Sequence, residues 1–323
     1  MENLLTGLRA SAEPTRLRIL ALAARGSFCV MEFTEILGQS QPRLSRHLRL
    51  LCEAGLLDRV REGANVWFTL PDGGSPGGSL ARAVVERLPE DDPMLAADRR
   101  QAARVLAERA RIASESFRRT GADWDEMRAL DLPASAVEQA LLDLLPAGEI
   151  GRLLDIGTGT GRLLELLAPR VTAALGIDAS RAMLALARAR LSRPGLLHCA
   201  VRLADMYRLP LPDGGFDAVV LQMVLHYAED PAGALAEAAR VLRPGGGRLV
   251  VVDLAPHGRA DCIDRLAHRW PGFSDEAMHD LFTRAGLIPG GVVAVPGPMD
   301  MRLWSASRAA EAVPADLFLE ATR

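Results

Sequence analysis

The stretch Leu153-Leu-Asp-Ile-Gly-Thr-Gly-Thr-Gly-Arg162 decides how this chain is read. An apolar strand runs into Gly157, Gly159 and Gly161, and an amphipathic segment follows at once over 162–168. Glycines at such a junction let the backbone turn sharply and approach a ligand whose polar end meets a helix N-terminus. A dinucleotide fingerprint needs its third glycine five residues after the first, and counting from Gly157 that position is Arg162. Asp155, two residues ahead of the first glycine, suits a ligand carrying an ammonium group better than one presenting a pyrophosphate.

Downstream the same grammar repeats. Apolar runs at 153–156, 173–177, 218–221 and 249–252 alternate with helical patterns at 162–168, 180–192 and 232–242, which predicts an α/β unit with a parallel sheet covered by helices. Asp178 ends the second run, where a carboxylate can accept both hydroxyls of a ribose. Asp205 and Met206 follow the next strand, placed to meet an adenine edge and face. Gln222 closes the run beginning at Gly215, at the end of the sheet where open α/β folds bind ligands. Singly, each acid reads as a cap or turn residue; in this order they read as a pocket.

This set resembles the class I S-adenosylmethionine-dependent methyltransferase fold over about residues 120–307, and the stretch Glu237 to Asp253 resembles that fold's fifth-strand region. The resemblance implies a Rossmann-like seven-stranded sheet. It implies that Asp155, Gly157, Gly159 and Gly161 hold the amino-acid part of S-adenosylmethionine or S-adenosylhomocysteine, Asp178 the ribose, and Asp205 and Met206 the adenine, with Ala179 also among the cofactor-binding residues and Ala122-Asp-Trp-Asp125 as a lid.

The chain is too long for that unit alone: 323 residues predict two domains. Forty-nine per cent hydrophobic and 24 per cent charged residues exclude disorder for the bulk of it. No apolar run reaches the length of a membrane helix and the N-terminus lacks a signal core, so a cytoplasmic protein is expected. The net charge of −3 hides an asymmetry: residues 1–70 carry nine arginines against seven acids, and Ser40 to Cys52 holds three arginines and no acid. Two breaker-rich stretches, Pro71 to Ser79 and Pro89 to Pro93, bound the first module, the former judged unable to hold a helix. Met94 to Arg119, without glycine or proline, predicts a long helix. The expected division is 1–88, a helical linker at 89–119, and 120–323.

Within the first module, Pro14–Arg25 places Leu17, Leu20, Ala21 and Ala24 on one helical face. A second helix spans Met31–Leu37 and stops at Gly38. Ser40 reads as an N-cap, with Pro42 in the first turn, of a helix that buries Leu44, Leu48 and Leu51. Leu57–Arg61 and Val66–Leu70 form a hairpin. Helix, turn, helix and hairpin make a winged helix-turn-helix whose second helix fits the major groove of double-stranded operator DNA. Arg43 and Arg46, three apart, are the natural readers of guanine, and Gln41 of adenine. Ser45 and Arg49 are placed for phosphates, and Arg61 for the neighbouring backbone.

Residues 41–57 closely resemble the recognition region of ArsR/SmtB repressors. The resemblance, over about residues 4–88, implies a homodimer paired through helices near 3–10 and 80–88. Metal-sensing members carry paired thiolates before the recognition helix, whereas Phe28-Cys-Val-Met31 offers one, so no metal site is expected. Four widely spaced cysteines predict no disulfide framework.

Two functions fit. The fusion resembles S-adenosylhomocysteine-responsive regulators of methionine-cycle genes, a likeness that the segments at 255–258, 267–269 and 272–275 strengthen. The alternative is an active small-molecule methyltransferase with an autoregulatory DNA-binding domain, for which His226, past the fourth strand and beside Tyr227, is the best-placed base. His257 and His268 are expected to face the same cavity.

Overall fold

The computed structural model describes residues 2–62, 65–71, 75–119, 130, 132–193, 195–258 and 268–310. The chain divides into two compact units, 1–120 with 182–200, and 121–181 with 201–323. The expected lid at 122–125 and Ala267 lie outside the described residues.

The first unit opens with α1 (Glu2–Ser11), α2 (Pro14–Ala23), β1 (Phe28–Cys29), α3 (Val30–Leu37) and α4 (Gln41–Glu53). It continues through the hairpin of β2 (Asp58–Glu62) and β3 (Asn65–Thr69) to α5 (Pro76–Val85) and α6 (Pro93–Arg119). Glu13 starts α2 by accepting the Arg16 N–H at 2.9 Å, and Gly38, in the left-handed region at φ 64°, ends α3. Ser40 occupies the N-cap of α4, but its side chain makes no capping hydrogen bond; Pro42 in the first turn carries the start. Strand order is β1-β3-β2, with Phe28 opposite Phe68 and Cys29 opposite Trp67. Leu44, Leu48 and Leu51 of α4 are buried against Ile19, Leu20, Phe28, Phe33 and Phe68.

Two expectations are corrected here. The buried positions of α2 are Thr15, Ile19, Leu20, Leu22 and Ala23, while Leu17, Ala21 and Ala24 are half-buried. This helix packs against α4, α5 and α6, so no single stripe is its inner face. The breaker-rich stretch does enter a helix: Ser75 caps α5 by accepting the Gly78 N–H at 3.0 Å, and Pro76 stands in the first turn. Gly77 is there because α5 crosses the backbone of Gly55 closely; a Cβ on it would lie 2.0 Å from the Gly55 carbonyl oxygen.

The second sheet is built from β4 (Arg152–Ile156), β5 (Ala173–Asp178), β6 (Cys199–Leu203), β7 (Ala218–Gln222), β8 (Arg248–Leu254), β9 (Leu287–Val295) and β10 (Met301–Arg308). Around it run α7 (Ala134–Leu144), α8 (Arg162–Leu167), α10 (Pro231–Val241) and α11 (Asp275–Arg284), while α9 (Arg181–Leu191) follows β5 in the chain. The order is β6-β5-β4-β7-β8-β10-β9. β4 pairs in parallel with β5 and β7, and β7 with β8. Leu153, Leu154, Ile156, Val219 to Leu221 and Leu249 to Val252 are buried, as strands covered on both faces require.

The expected parallel sheet is therefore incomplete as a description: β10 runs antiparallel to both β8 and β9. From β4 the chain moves outward to β5 and β6, then returns to β7 on the other side. That reversal opens a crevice at the carboxyl ends of β4 and β7, where ligands of open α/β sheets bind. Among the described residues no helix is long and apolar enough to cross a membrane.

Candidate functional site

The crevice begins with the turn after β4. Gly157, Gly159 and Gly161 have φ of 76°, 53° and 74°, values that side-chain-bearing residues rarely adopt. The Gly157 and Thr158 N–H groups donate to the Ile177 carbonyl at 2.9 and 2.8 Å, binding the turn to β5. A Cβ on Gly157 would collide with Val224, whereas one on Gly159 would meet nothing within 4 Å. The first glycine is a packing requirement and the second leaves open space.

Two carboxyls face this turn. Asp178, at the end of β5, accepts the Gly159 N–H at 2.9 Å on one oxygen and the Ser180 N–H at 2.7 Å on the other. Burial pushes its pKa upward, against the N–H groups of Ser180, Gly159 and Ala179. Asp155 is buried within β4, and burial pushes it up to about 7. The nearby Thr158 hydroxyl opposes that rise and the Asp178 charge adds to it. A buried acid beside a second acid is a place where a ligand cation is favoured.

The other expected contacts sit at the same end of the sheet. Ala179 is exposed directly after Asp178. Asp205 is exposed and accepts the Tyr207 N–H at 3.0 Å, while Met206 is half-buried against the core of this unit. Gln222 is half-buried at the last position of β7. Met223, which follows, has φ 55°, a costly conformation for a non-glycine residue.

His226 is fully buried, and its Nδ1 donates to Asp253 at 2.7 Å. Asp253 also accepts the N–H groups of Leu225, His226 and Leu254 at 3.1, 3.3 and 2.8 Å. The His226 ring lies 4.2 Å from that of Tyr227 and 4.3 Å from that of His268, with His257 6.3 Å beyond. The structure thus brings the three expected histidines together. Asp253 escaped the sequence reading although it ends the Glu237–Asp253 stretch, because nothing in the pattern distinguishes it from a strand-end acid.

In the first unit, Gln41, Arg43, Ser45, Arg46 and Arg49 are all exposed on α4, opposite its three buried leucines, and Arg61 is exposed on β2. Arg49 pairs loosely with Glu53 at 3.9 Å. His47, which no sequence pattern marks, is half-buried with Nδ1 3.7 Å from Glu13. Burial lowers its pKa, Arg16, Arg43 and Arg46 lower it further, and Glu13 opposes them. Burial raises the pKa of the Cys29, Cys52 and Cys199 thiols. Among the described residues no three His, Cys, Asp or Glu side chains converge on a metal position.

Comparison with known proteins matches both halves. Residues 13–59 match the bacterial regulatory protein, arsR family, and residues 154–251 match the methyltransferase domain. A demethylmenaquinone methyltransferase of Thermus thermophilus is 44% identical over 163 residues, 48% of this chain and 72% of that protein. An uncharacterized 37.1 kDa protein in transposon TN4556 of Streptomyces fradiae is 42% identical over 130 residues, 39% of this chain, which spans only 36% of that relative. The crystal structure of the YcgJ protein of Bacillus subtilis aligns with 55% of this chain and 100% of its own at a TM-score of 0.49 and 17% identity. The chain belongs to the class I methyltransferases and carries an arsR-family helix-turn-helix at its N-terminus.

Proposed function

We propose that this protein is a cytoplasmic, homodimeric transcriptional repressor whose methyltransferase domain senses S-adenosylhomocysteine or S-adenosylmethionine and so controls methionine-cycle genes. In this reading residues 1–88 bind operator DNA and dimerise, 89–119 link, and 120–323 hold the nucleoside. The observation that carries it is the presence, on one polypeptide, of an exposed arginine face on α4 and an acid-lined glycine turn after β4. Arg43 and Arg46 read bases and Gln41, Ser45, Arg49 and Arg61 hold register. Leu4, Leu5 and Leu8, 51%, 43% and 43% exposed on α1, favour a twofold partner on that face.

The pocket residues fit an aminoacyl nucleoside. Asp155 faces its ammonium, the open side of Gly159 admits its backbone, Asp178 and Ala179 take the ribose, and Asp205, Met206 and Gln222 border the base. Sensing is favoured over turnover by the packing around His226, whose carbonyl accepts the N–H groups of Arg269 and Trp270 at 2.8 and 3.1 Å. Full burial of the His226 side chain favours a structural role for it.

A second reading, an active small-molecule methyltransferase, is favoured by the His226–Asp253 bond, which leaves Nε2 as the basic ring nitrogen. S-Adenosylmethionine, when bound, supplies an electrophilic methyl group; in that reading His226 takes the acceptor's proton and Asp253 fixes the imidazole tautomer.

The test is fluorescence anisotropy on a duplex selected by the protein from a random pool, titrated with and without each nucleoside. The sensor reading expects a different operator affinity with S-adenosylhomocysteine; a coupling of about 1.4 kcal/mol gives tenfold. Identical isotherms with both nucleosides would refute it.

A further inference from the structure

We propose that Arg109 is the positioning residue through which α6 fixes both the start of the helix-turn-helix and the wing, and through which a bound nucleoside alters operator affinity. This deepens the regulator reading and rests on it.

The case begins with the spacing of α6. Asp98, Ala102, Val105, Leu106 and Arg109 share one helical face, and the three apolar members are buried in the core of the first unit. An ion pair flanks that stripe on each side, about 16 Å apart at 1.5 Å per residue. At the near end Asp98 accepts two hydrogen bonds from Arg18 of α2, at 2.6 and 2.7 Å. At the far end Arg109 donates to Glu32 of α3 from Nε and Nη2, at 2.9 and 2.5 Å. Among the described side chains of α6, Arg109 stands nearest its carboxyl end, toward the methyltransferase sequence.

The far pair does more than the near one. Glu32 uses its other oxygen to accept the Cys29 N–H at 2.8 Å, which closes the first turn of α3. The same guanidinium donates to the Ser27 carbonyl at 3.3 Å and lies 4.7 Å from the ring centroid of Trp67. Trp67 belongs to β3, opposite Cys29 on one side and Val60 on the other, and β2 carries Arg61. One planar cation therefore touches the helix that packs on α4 and the strand that carries the wing. With side chains only 11% and 16% exposed, Arg109 and Glu32 are poorly screened by solvent, so the pair holds its geometry. A displacement of the carboxyl end of α6 reaches α3 and the wing through this contact.

Lysine keeps the charge but loses the two-point grip and the flat face over the indole. The experiment compares wild type with Arg109→Lys: calorimetry with S-adenosylhomocysteine, and operator anisotropy with and without it. Expected are unchanged nucleoside affinity, ligand-free operator affinity within about threefold of wild type, and a ratio of operator affinities that collapses to within twofold of one. A variant whose ratio equals that of wild type would overturn the role of Arg109 and leave the regulator reading intact. A wild-type ratio of one overturns the regulator reading itself, and this inference with it. Should Arg109→Lys fail to fold, Glu32→Gln, whose amide oxygen can still accept the Cys29 N–H, gives the same readout under the same criteria.

Discussion

Asp178 and Gly159 are tied by a 2.9 Å hydrogen bond from the glycine N–H to one carboxylate oxygen, so the end of β5 holds the turn that follows β4. The other oxygen is held by Ser180. The carboxylate is thus aimed before any ligand arrives, which lowers the ordering cost of binding. Asp178→Ala removes that aim and the proposed acceptor of two ribose hydroxyls. Hydrogen bonds to charged groups contribute about 1.5–3 kcal/mol each, so loss of even one should lower nucleoside affinity by about 10- to 150-fold, and loss of both by more. Calorimetry reads the loss, and operator affinity without nucleoside should stay at the wild-type value.

Asp155 sets a pH dependence whose sign can be worked out. Its pKa is raised to about 7, chiefly by burial. A ligand ammonium favours the ionised form, so binding releases the proton. Affinity should rise between pH 6 and 8 and level off above that, and Asp155→Asn should bind weakly with a flat profile. The stability linkage runs the other way. The folded protein holds this proton more tightly than the unfolded chain, whose pKa is near 4. The contribution to ligand-free stability is full below that value and is lost as pH rises through about 7. Melting curves at pH 5 and 8 check it: Asp155→Asn should narrow the difference between them.

Arg43 and Arg46 project from the exposed side of a helix whose opposite side is fixed by Leu44, Leu48 and Leu51. Replacing either with alanine should cost about 1–3 kcal/mol at the base pair it reads and relax selection there. Arg49→Ala should instead weaken binding to all sequences alike and flatten the salt dependence by about one unit of slope. Selection from a random pool, repeated for each variant, separates the two behaviours.

Much of this was legible in the residues because local chemistry dictated it. The glycine turn, the leucine face of α4 and the central strands follow from backbone freedom and from burial on one face or two. What the pattern hid depended on distant contacts. Gly77 looked like a helix breaker because its use, the crossing of Gly55, lies 22 residues away in sequence. Strands β9 and β10 went unread: the exposed Ile288 and Val292 and the small residues Gly290, Gly291, Ser305 and Ala306 blur any alternation. Asp253 and His226 are 27 residues apart, and their bond appears only once β7 and β8 lie side by side.

That last pair separates a structural acid from one that serves catalysis alone. Asp253 accepts three backbone N–H groups as well as the His226 ring, all of them buried. Asp253→Ala leaves those donors without their acceptor, at about 1–3 kcal/mol for each group left unsatisfied. His226→Ala removes one donor, leaves a cavity between Tyr227 and His268, and keeps the three backbone bonds. Chemical denaturation should therefore find Asp253→Ala the less stable by at least about 2 kcal/mol. Equal losses would mean that the carboxylate contributes nothing beyond the imidazole bond. The methyltransferase reading would then gain, since an acid devoted to orienting a histidine is what a catalytic base requires.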